Sequence, residues 1–427
     1  MPRPSPSRFA SPFAALAVAA LAGCGSPMLP APLSTPQPPY YGYGRFPPPI
    51  AHGPPPPGPA APGPQKVALL VPLSGANAEL GQALLDAAQL ALFETGGDRL
   101  TLVPRDTGGS GAGAASAARA VIGEGIHLIL GPLLAPEVEA VKPIAQGAHI
   151  NVIAFSTVTK LAGGNVYLMG FLPRQEVARE VAYARQRGLN RFAALAPNST
   201  YGHLMADALR EVASASGGTV AKVEFYDQRA GDVAAQVRAL LPGGVEETDA
   251  PTPAIPPPAP SFEALLLPED GARLKQIARQ VRGAAGSNKP VQLLGSGLWD
   301  TPDIGSEPAL VGGWYASSSP EARQDFEHRF SATYGHNPPR LASLGYDAAT
   351  LAAVLARQPS GEPFSREAIL NPSGFTGVDG LFRFSPDGLA QRGLAVLEIE
   401  PQGPIVVSPP PQSFQDLEAI HTGHEKV

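Results

Sequence analysis

The stretch KVALLVPLSGANAELGQALLDAAQLALFE, residues 66–94, decides the fold class. Its first seven residues are almost all apolar, which is typical of a strand covered on both faces in a parallel sheet. The residues that follow have helical spacing, with Leu84, Ala88 and Ala91 on one stripe. A buried strand followed by an amphipathic helix predicts the first unit of an open α/β sheet.

Strand and helix signals of this kind alternate along most of the chain. They continue from residue 66 to residue 156, and they start again after the apolar stretch VYLMGFLP (166–173). Such alternation predicts parallel sheets with helices on both faces. The predicted fold class is therefore α/β, with two doubly wound Rossmann-like lobes joined by hinge strands.

Each lobe is predicted to take two separate segments of the chain, with one insertion and one tail outside both cores. The boundaries are 66–170 plus about 317–372 for the first lobe, 171–316 plus about 373–406 for the second lobe, 242–260 for the insertion and 407–427 for the tail. The insertion is proline-rich and the tail is polar, so neither is expected to build a core. The tail is predicted to be flexible.

The N-terminal segment has the features of a secretion signal. Arg3 and Arg8 precede a short apolar run, residues 13–21, which is too short for a permanent membrane helix. The run leads into Leu-Ala-Gly-Cys, and Cys24 is the only cysteine in 427 residues. This pattern resembles the bacterial lipobox, which implies removal of residues 1–23 and a diacylglyceryl group on Cys24. The alternative is an ordinary signal peptide with an unrelated cysteine.

Residues 24–65 are predicted to be a tether, because prolines remove backbone donors and few aliphatic side chains are available to bury. In a polyproline II conformation, at roughly 3.1 Å per residue, such a segment reaches on the order of 100 Å from the lipid. By resemblance to bacterial lipoprotein sorting, Gly25 after the cysteine favours the outer membrane over the inner.

Composition and motifs argue against several function classes. The formal net charge is −6 at pH 7, and no Lys/Arg cluster offers a nucleic-acid surface. One cysteine allows neither an internal disulfide nor a multi-cysteine metal site. The sequence shows no nucleophile–base–orienter set and no nucleotide-binding signature in the context that it requires. We therefore expect no catalytic residues, no cofactor and no metal, and we expect that the protein is not an enzyme.

Loops at the carboxyl ends of the strands are the expected place for a ligand. Two facing lobes would bring both sets of strand ends across one cleft. Polar side chains in these loops are the candidates for the cleft: Ser74, Asp106, Ser156, Thr157, Asn198, Ser199, Tyr201, Tyr226, Asp270 and Trp299. The loop after the third strand adds two apolar candidates, Leu133 and Leu134.

Several motifs occur in an order that resembles a known family. They are KVALLVPLSGANAELG (66–81), LILGPLLAPEVEAVKPIA (128–145), NVIAFST (151–157), NSTYGHLMADALRE (198–211), the helix pair at 326–355 and GFTGVDGLFRFSPDG (374–388). Over about residues 66–400 the chain is similar to the type I periplasmic binding proteins, most of all to the leucine/isoleucine/valine-binding branch. Within that superfamily, the lipobox, the tether and VYLMGFLPRQEV (166–177) resemble the penicillin-binding-protein activators.

The resemblance carries implications for function. Penicillin-binding-protein activators are lipid-anchored outer-membrane proteins that stimulate a peptidoglycan synthase and are not thought to be enzymes. Amino-acid-binding members hold the ligand carboxylate with hydroxyl groups from two loops. Ser156 and Thr157 match one of these loops and Tyr201 matches an aromatic contact, but the other loop, 131–135, has no hydroxyl.

Two functions therefore stay open. The first is a non-enzymatic, lipid-anchored regulator of a peptidoglycan synthase on the periplasmic face of the outer membrane. The alternative is the solute receptor of an ABC importer, with an ABC permease as its partner. A small amino-acid-like or muropeptide ligand fits either function. Contact with the membrane is expected through the lipid anchor alone, and no nucleic-acid partner is expected.

Overall fold

The computed structural model describes residues 63–422, apart from 96–98, 230, 242–259, 286–290, 302 and 359–361. The predicted signal segment, Cys24, nearly all of the tether and nearly all of the insertion at 242–260 lie outside the described residues. Within the described part of the chain, no helix combines the length and the hydropathy that are needed to cross a bilayer.

The first sheet comes from alternating strands and helices. In chain order these are β1 (Gln65–Val71), α1 (Ala78–Thr95), β2 (Leu100–Asp106), α2 (Gly111–Gly123), β3 (Leu128–Leu130), α3 (Ala135–Gly147), β4 (Asn151–Ala154) and β5 (Val166–Leu168). A short 3-10 turn, Thr159–Leu161, precedes β5. The strands lie in the order β2-β1-β3-β4-β5 and every neighbouring pair is parallel.

Burial on both faces of this sheet explains the apolar run in β1. Val67 and Leu69 pack with Leu84 of α1 on one face. Ala68 and Leu70 pack into a second cluster, with α2 and α3, on the other face. Successive side chains of a strand point to opposite faces. A strand between two helical layers therefore has apolar residues at every position.

The second lobe repeats this architecture. Its elements are α4 (Pro173–Gln186), β6 (Arg191–Pro197), α5 (Thr200–Ala215), β7 (Thr219–Tyr226), α6 (Ala234–Leu240), β8 (Ala264–Leu266), α7 (Gly271–Ala285), β9 (Gln292–Leu294) and β10 (Trp314–Ser317). Two 3-10 turns, Gly297–Trp299 and Ile304–Ser306, lie between β9 and β10. The paired strands β6 to β10 are parallel.

After β10 the chain returns to the first lobe. The elements there are α8 (Pro320–Tyr334), α9 (Ala342–Ala356), α10 (Arg366–Ile369), β11 (Phe375–Gly377), β12 (Gly380–Phe384) and β13 (Ala390–Arg392). Helix α9 packs closely on α1, since a Cβ at Gly345 would lie 2.3 Å from the Leu84 carbonyl oxygen. Strands β11, β12 and β13 form a small antiparallel sheet of their own.

The chain then crosses again and closes the second sheet. Strands β14 (Ala395–Glu400) and β15 (Gly403–Ser408) pair antiparallel beside β10, and α11 (Phe414–Thr422) follows. The complete second sheet has the order β15-β14-β10-β9-β8-β6-β7. The predicted fold class, α/β with two doubly wound lobes, is confirmed.

Two predicted boundaries differ from the structure. Residues 375–392 were assigned to the second lobe, but Phe382 and Phe384 pack in the core of the first, where Phe384 meets Tyr167 edge to face. The predicted flexible tail is wrong for residues 407–422, because Phe414 and Leu417 are buried. Both differences have the same cause, because each of these buried side chains packs against residues that are distant in the sequence.

Candidate ligand-binding site

A cavity of about 220 Å³ lies where both lobes meet the segments that connect them. We call it the inner cavity. The residues that line it come from strand ends, from helix starts and from the three crossings between the lobes: Phe155, Thr157, Phe171, Leu172, Gln175, Glu176, Tyr201, Gly297, Leu298, Ala316, Ser317, Ser318, Arg340, Leu341, Arg392 and Leu394. Most of these side chains are apolar or aromatic, as is usual for small-molecule sites.

Glu176 is the acid of the inner cavity. It lies in the first turn of α4, and Oε2 accepts a hydrogen bond of 3.0 Å from the Gly297 N–H. Among the described residues, none donates a hydrogen bond to Oε1. A Cβ at residue 297 would lie 2.9 Å from that oxygen, so glycine leaves room beside it. Burial raises the pKa of Glu176 to about 7, against the effects of the Gly297 N–H and Arg340.

Arg340 is one of two arginines in the described wall of the inner cavity, and it comes from the first lobe. Its guanidinium lies 4.2 Å from the centroid of the Phe171 ring, a cation–π distance. It also forms an ion pair of 2.8 Å with the fully buried carboxylate of Asp379. Burial alone would raise the pKa of Asp379, but Arg340 and Arg392 hold it below its ordinary value. Arg340 is therefore already neutralised by the protein.

An ion pair beside the cavity joins the two lobes. Asp300 follows the turn at Gly297–Trp299 in the second lobe, and its carboxylate pairs with Arg323 of α8 in the first lobe. The Ser317 hydroxyl donates to the same carboxylate at 2.6 Å, and Arg340 Nε lies 3.8 Å from it. These contacts hold the lobes together at the cavity.

The structure places two of the twelve predicted cleft residues in the wall of the inner cavity. Thr157 and Tyr201 line it, one from each lobe. Burial raises the pKa of Tyr201, and the neighbouring charge of Glu176 adds to the effect. Ser156 lies one residue from the wall, where its Oγ accepts a hydrogen bond of 3.2 Å from the Val158 N–H. Ser156 thus closes the turn that presents Thr157.

The other first-lobe candidates support loops or the core. The Asp106 carboxylate accepts backbone hydrogen bonds from Leu73, Ser74 and Gly108 at 2.8, 3.2 and 2.7 Å, which ties two loops together. The Ser74 hydroxyl and these N–H groups hold the pKa of Asp106 below its usual range. Leu133 is buried in the core and Leu134 packs against it. Neither leucine lines the inner cavity.

The remaining second-lobe candidates likewise have structural roles. The Ser199 hydroxyl caps α5 by accepting from the Gly202 N–H at 3.1 Å, and Asn198 Oδ1 lies 2.9 Å from His203 Nε2. Tyr226 is buried and donates its hydroxyl to Glu269.

Asp270 and Trp299 are the last two second-lobe candidates, and both have structural roles. The Asp270 carbonyl accepts from the Leu274 N–H at 3.0 Å at the start of α7. Trp299 is fully buried in the core, and its indole N–H donates to the Leu267 carbonyl at 3.2 Å. Neither residue lines the inner cavity.

Sequence reasoning missed Glu176, Arg340 and Arg392, the three charged residues in the described wall of this cavity. A signal for Glu176 exists: Glu176 and Glu180 are spaced i, i+4 beside the apolar positions Val177 and Val181, and all four are buried. Glu180 anchors α4 to the crossing strand, since its Oε1 accepts from the Ala316 N–H at 3.0 Å. Within the described residues, no group of three or more His, Cys, Asp or Glu is arranged to hold a metal ion.

The architecture agrees with a comparison of the sequence with known families. The model of one family, described as periplasmic binding protein, matches residues 64–404. The chain belongs to the periplasmic binding protein family. No curated protein sequence matches this periplasmic binding protein.

Solved structures of other periplasmic binding proteins have the same fold. A leucine-binding protein from Thermotoga maritima has a TM-score of 0.57 and 20% identity, covering 81% of this chain and 98% of that chain. A branched-chain amino acid ABC transporter ligand-binding protein from Burkholderia xenovorans has a TM-score of 0.64 and 19% identity, covering 82% and 96%. A branched-chain amino acid binding protein from Streptococcus pneumoniae, in complex with isoleucine, has a TM-score of 0.56 and 20% identity, covering 81% and 100%. At these identities the likeness shows the fold alone.

Proposed function

We propose that the protein is a non-enzymatic solute receptor that binds a small apolar amino acid between its two lobes. The inner cavity carries this proposal. It is lined by both lobes and its wall is largely apolar. Among the described residues of that wall, Glu176 supplies the one carboxyl group, and it has an oxygen left for a ligand. A charged group in such a cavity needs a partner that offsets its desolvation.

The residues of the cavity suggest how the amino acid is held. Its ammonium group is placed against Glu176 Oε1, where an opposite charge favours the ionised carboxylate. Its apolar side chain packs on Phe155, Phe171 and Leu341. The hydroxyl of Thr157 provides a polar contact from the first lobe.

Similar structures support this choice of ligand and partner. One of them contains isoleucine, and another is named as the ligand-binding protein of a branched-chain amino acid ABC transporter. By analogy, the partner of this chain is an ABC permease and its place is the periplasm.

A thermal-shift screen of the full chain against the amino acids tests the proposal. Ligand at about 100-fold above its dissociation constant adds about 2.7 kcal/mol of stability, which raises Tm by several degrees. We expect this shift with leucine or isoleucine and its loss in Glu176→Gln. The matched control is Glu139→Gln, which changes an exposed glutamate of α3. An unchanged Tm with every amino acid contradicts the proposal.

A second candidate rests on the sequence before residue 63. The lipobox-like Leu-Ala-Gly-Cys and the proline-rich tether favour a lipid-anchored outer-membrane protein that regulates a peptidoglycan synthase. This regulator acts through a surface and does not depend on the inner cavity. Stimulation of a purified peptidoglycan synthase by wild type and Glu176→Gln alike supports it, and the absence of any stimulation contradicts it.

A further inference from the structure

A second compartment of about 390 Å³ lies next to the inner cavity, and we call it the outer groove. Elements of both lobes form it: the start of α4, one face of α5, the β12–β13 hairpin and the buried side of α11. Charged side chains of both signs line it, namely Arg174, Asp207, Glu211, Arg383, Asp387 and Glu418. The outer groove therefore carries more charged side chains than the inner cavity.

The two compartments share part of their walls. Thr157, Leu172, Gln175, Arg392 and Leu394 line both of them. Gln175 lies at this boundary. Its Oε1 accepts a hydrogen bond of 3.1 Å from the backbone N–H of Arg392, and its side-chain amide donates to the Ala390 carbonyl. The inner cavity and the outer groove therefore lie on either side of these shared side chains.

The volumes favour a ligand that occupies both compartments. Small-molecule sites usually have volumes of about 300–1,000 Å³. The inner cavity, at about 220 Å³, is below that range, whereas the two compartments together fall within it. A free amino acid would leave the outer groove empty.

The charges decide which end of such a ligand lies inside. Arg340 is neutralised by Asp379 at 2.8 Å. The side chain of Arg392, the other arginine of the described wall, is only 1% exposed and lies 3.9 Å from the Asp347 carboxylate, so neither arginine is an unpaired cation that a carboxylate can reach. Glu176 keeps Oε1 for a donor. The end that enters the inner cavity is thus an ammonium group.

We propose that the protein binds short peptides with an apolar N-terminal residue. This inference rests on the proposed receptor function. The N-terminal residue occupies the inner cavity with its ammonium group on Glu176, and the next residues extend along the outer groove. There Arg174 pairs with Glu211 at 2.9 Å, largely exposed to solvent, so an exchange for the carboxylate of the peptide costs little.

Isothermal titration of the full chain with leucine, Leu-Ala, Leu-Ala-Ala and N-acetyl-Leu-Ala tests this inference. We expect the free peptides to bind at least about tenfold more tightly than leucine. Acetylation removes the positive charge that Glu176 requires, and we expect it to weaken binding of the dipeptide by about tenfold or more. Equal affinity of the free and acetylated dipeptides would overturn the inference.

A variant that fills the outer groove separates this inference from the receptor function. Asp207→Trp places a large side chain on the groove face of α5 and is expected to weaken Leu-Ala-Ala about tenfold while leaving leucine unchanged. Arg210→Trp, on the same helix outside the groove, is the matched control. If leucine binds as tightly as the peptides, or if Asp207→Trp leaves peptide affinity unchanged, only the peptide inference fails. If no compound binds, the receptor function fails with it.

Discussion

The ion pair between Asp300 and Arg323 should stabilise the arrangement of the two lobes, and Asp300→Asn tests this. The substitution keeps the size of the side chain and removes its charge. It also leaves Arg323 without its partner in the other lobe and weakens the contact of Arg340 at 3.8 Å. The Ser317 hydroxyl keeps an oxygen to which it can donate.

The burial of the ion pair determines how much free energy of unfolding the substitution should remove. Removing one partner of a buried ion pair costs about 3–5 kcal/mol, whereas exposed pairs contribute about 0–1 kcal/mol. The side chains of Asp300 and Arg323 are only 13% and 15% exposed, so the pair is largely buried. We therefore expect Asp300→Asn to lower the free energy of unfolding by about 2–4 kcal/mol.

Urea denaturation of four proteins measures this effect: wild type, Asp300→Asn, Arg323→Gln and the double variant. The double variant should be less destabilised than the sum of the two single variants by at least about 1 kcal/mol, because the two residues are in contact. Asp207→Asn is the matched control, since its pair with Arg210 has side chains 70% and 48% exposed. We expect the control to lose less than about 0.5 kcal/mol in the free energy of unfolding. A loss for Asp300→Asn that is no larger than this would refute the reasoning.

Three further predictions address the site, the core and the C-terminal segment. Glu176 has a pKa of about 7 and is faced by Arg340, Asp300, Tyr201 and Glu180, so its ionised fraction should rise about tenfold between about pH 6 and about pH 8. The affinity for an amino acid, measured by titration at each pH, should rise with it. An affinity that does not change with pH would contradict the role of Glu176. Trp299→Ala should cost about 3–5 kcal/mol in urea denaturation, because the side chain is fully buried, while a ligand contact would cost far less. Phe414→Ala should cost about 3 kcal/mol, whereas a flexible tail predicts no change.

Much of the fold could be predicted from the sequence because parallel strands are buried on both faces. The apolar run of β1 and the alanine-rich helices after it are consistently interpreted as a buried parallel strand covered by helices. The position of β11–β13 could not be predicted. These strands are short, and Phe382 is buried by first-lobe residues such as Leu69 that lie far away in the sequence. The same limit applies to Phe414, which packs on Arg383 at 4.3 Å.

The candidate site was predicted less well, for a geometric reason. Loops after strands place Thr157 and Tyr201 in the wall of the inner cavity, but most polar residues there cap helices or close turns, as Ser199 does. Glu176 lies in the first turn of α4 and Arg340 lies just before α9, both next to the crossings between the lobes. They come together because three crossings converge, and no local pattern in the sequence indicates that convergence.

Isothermal titration of isoleucine into the wild-type protein and into Glu176→Gln, at about pH 8, is the most direct test of the proposed receptor function. The inner cavity predicts binding to the wild type, a loss of affinity of at least about tenfold in Glu176→Gln, and unchanged affinity in the exposed control Glu139→Gln. Equal affinity of all three proteins, or no binding to the wild type, would contradict the assignment of this cavity as the ligand site.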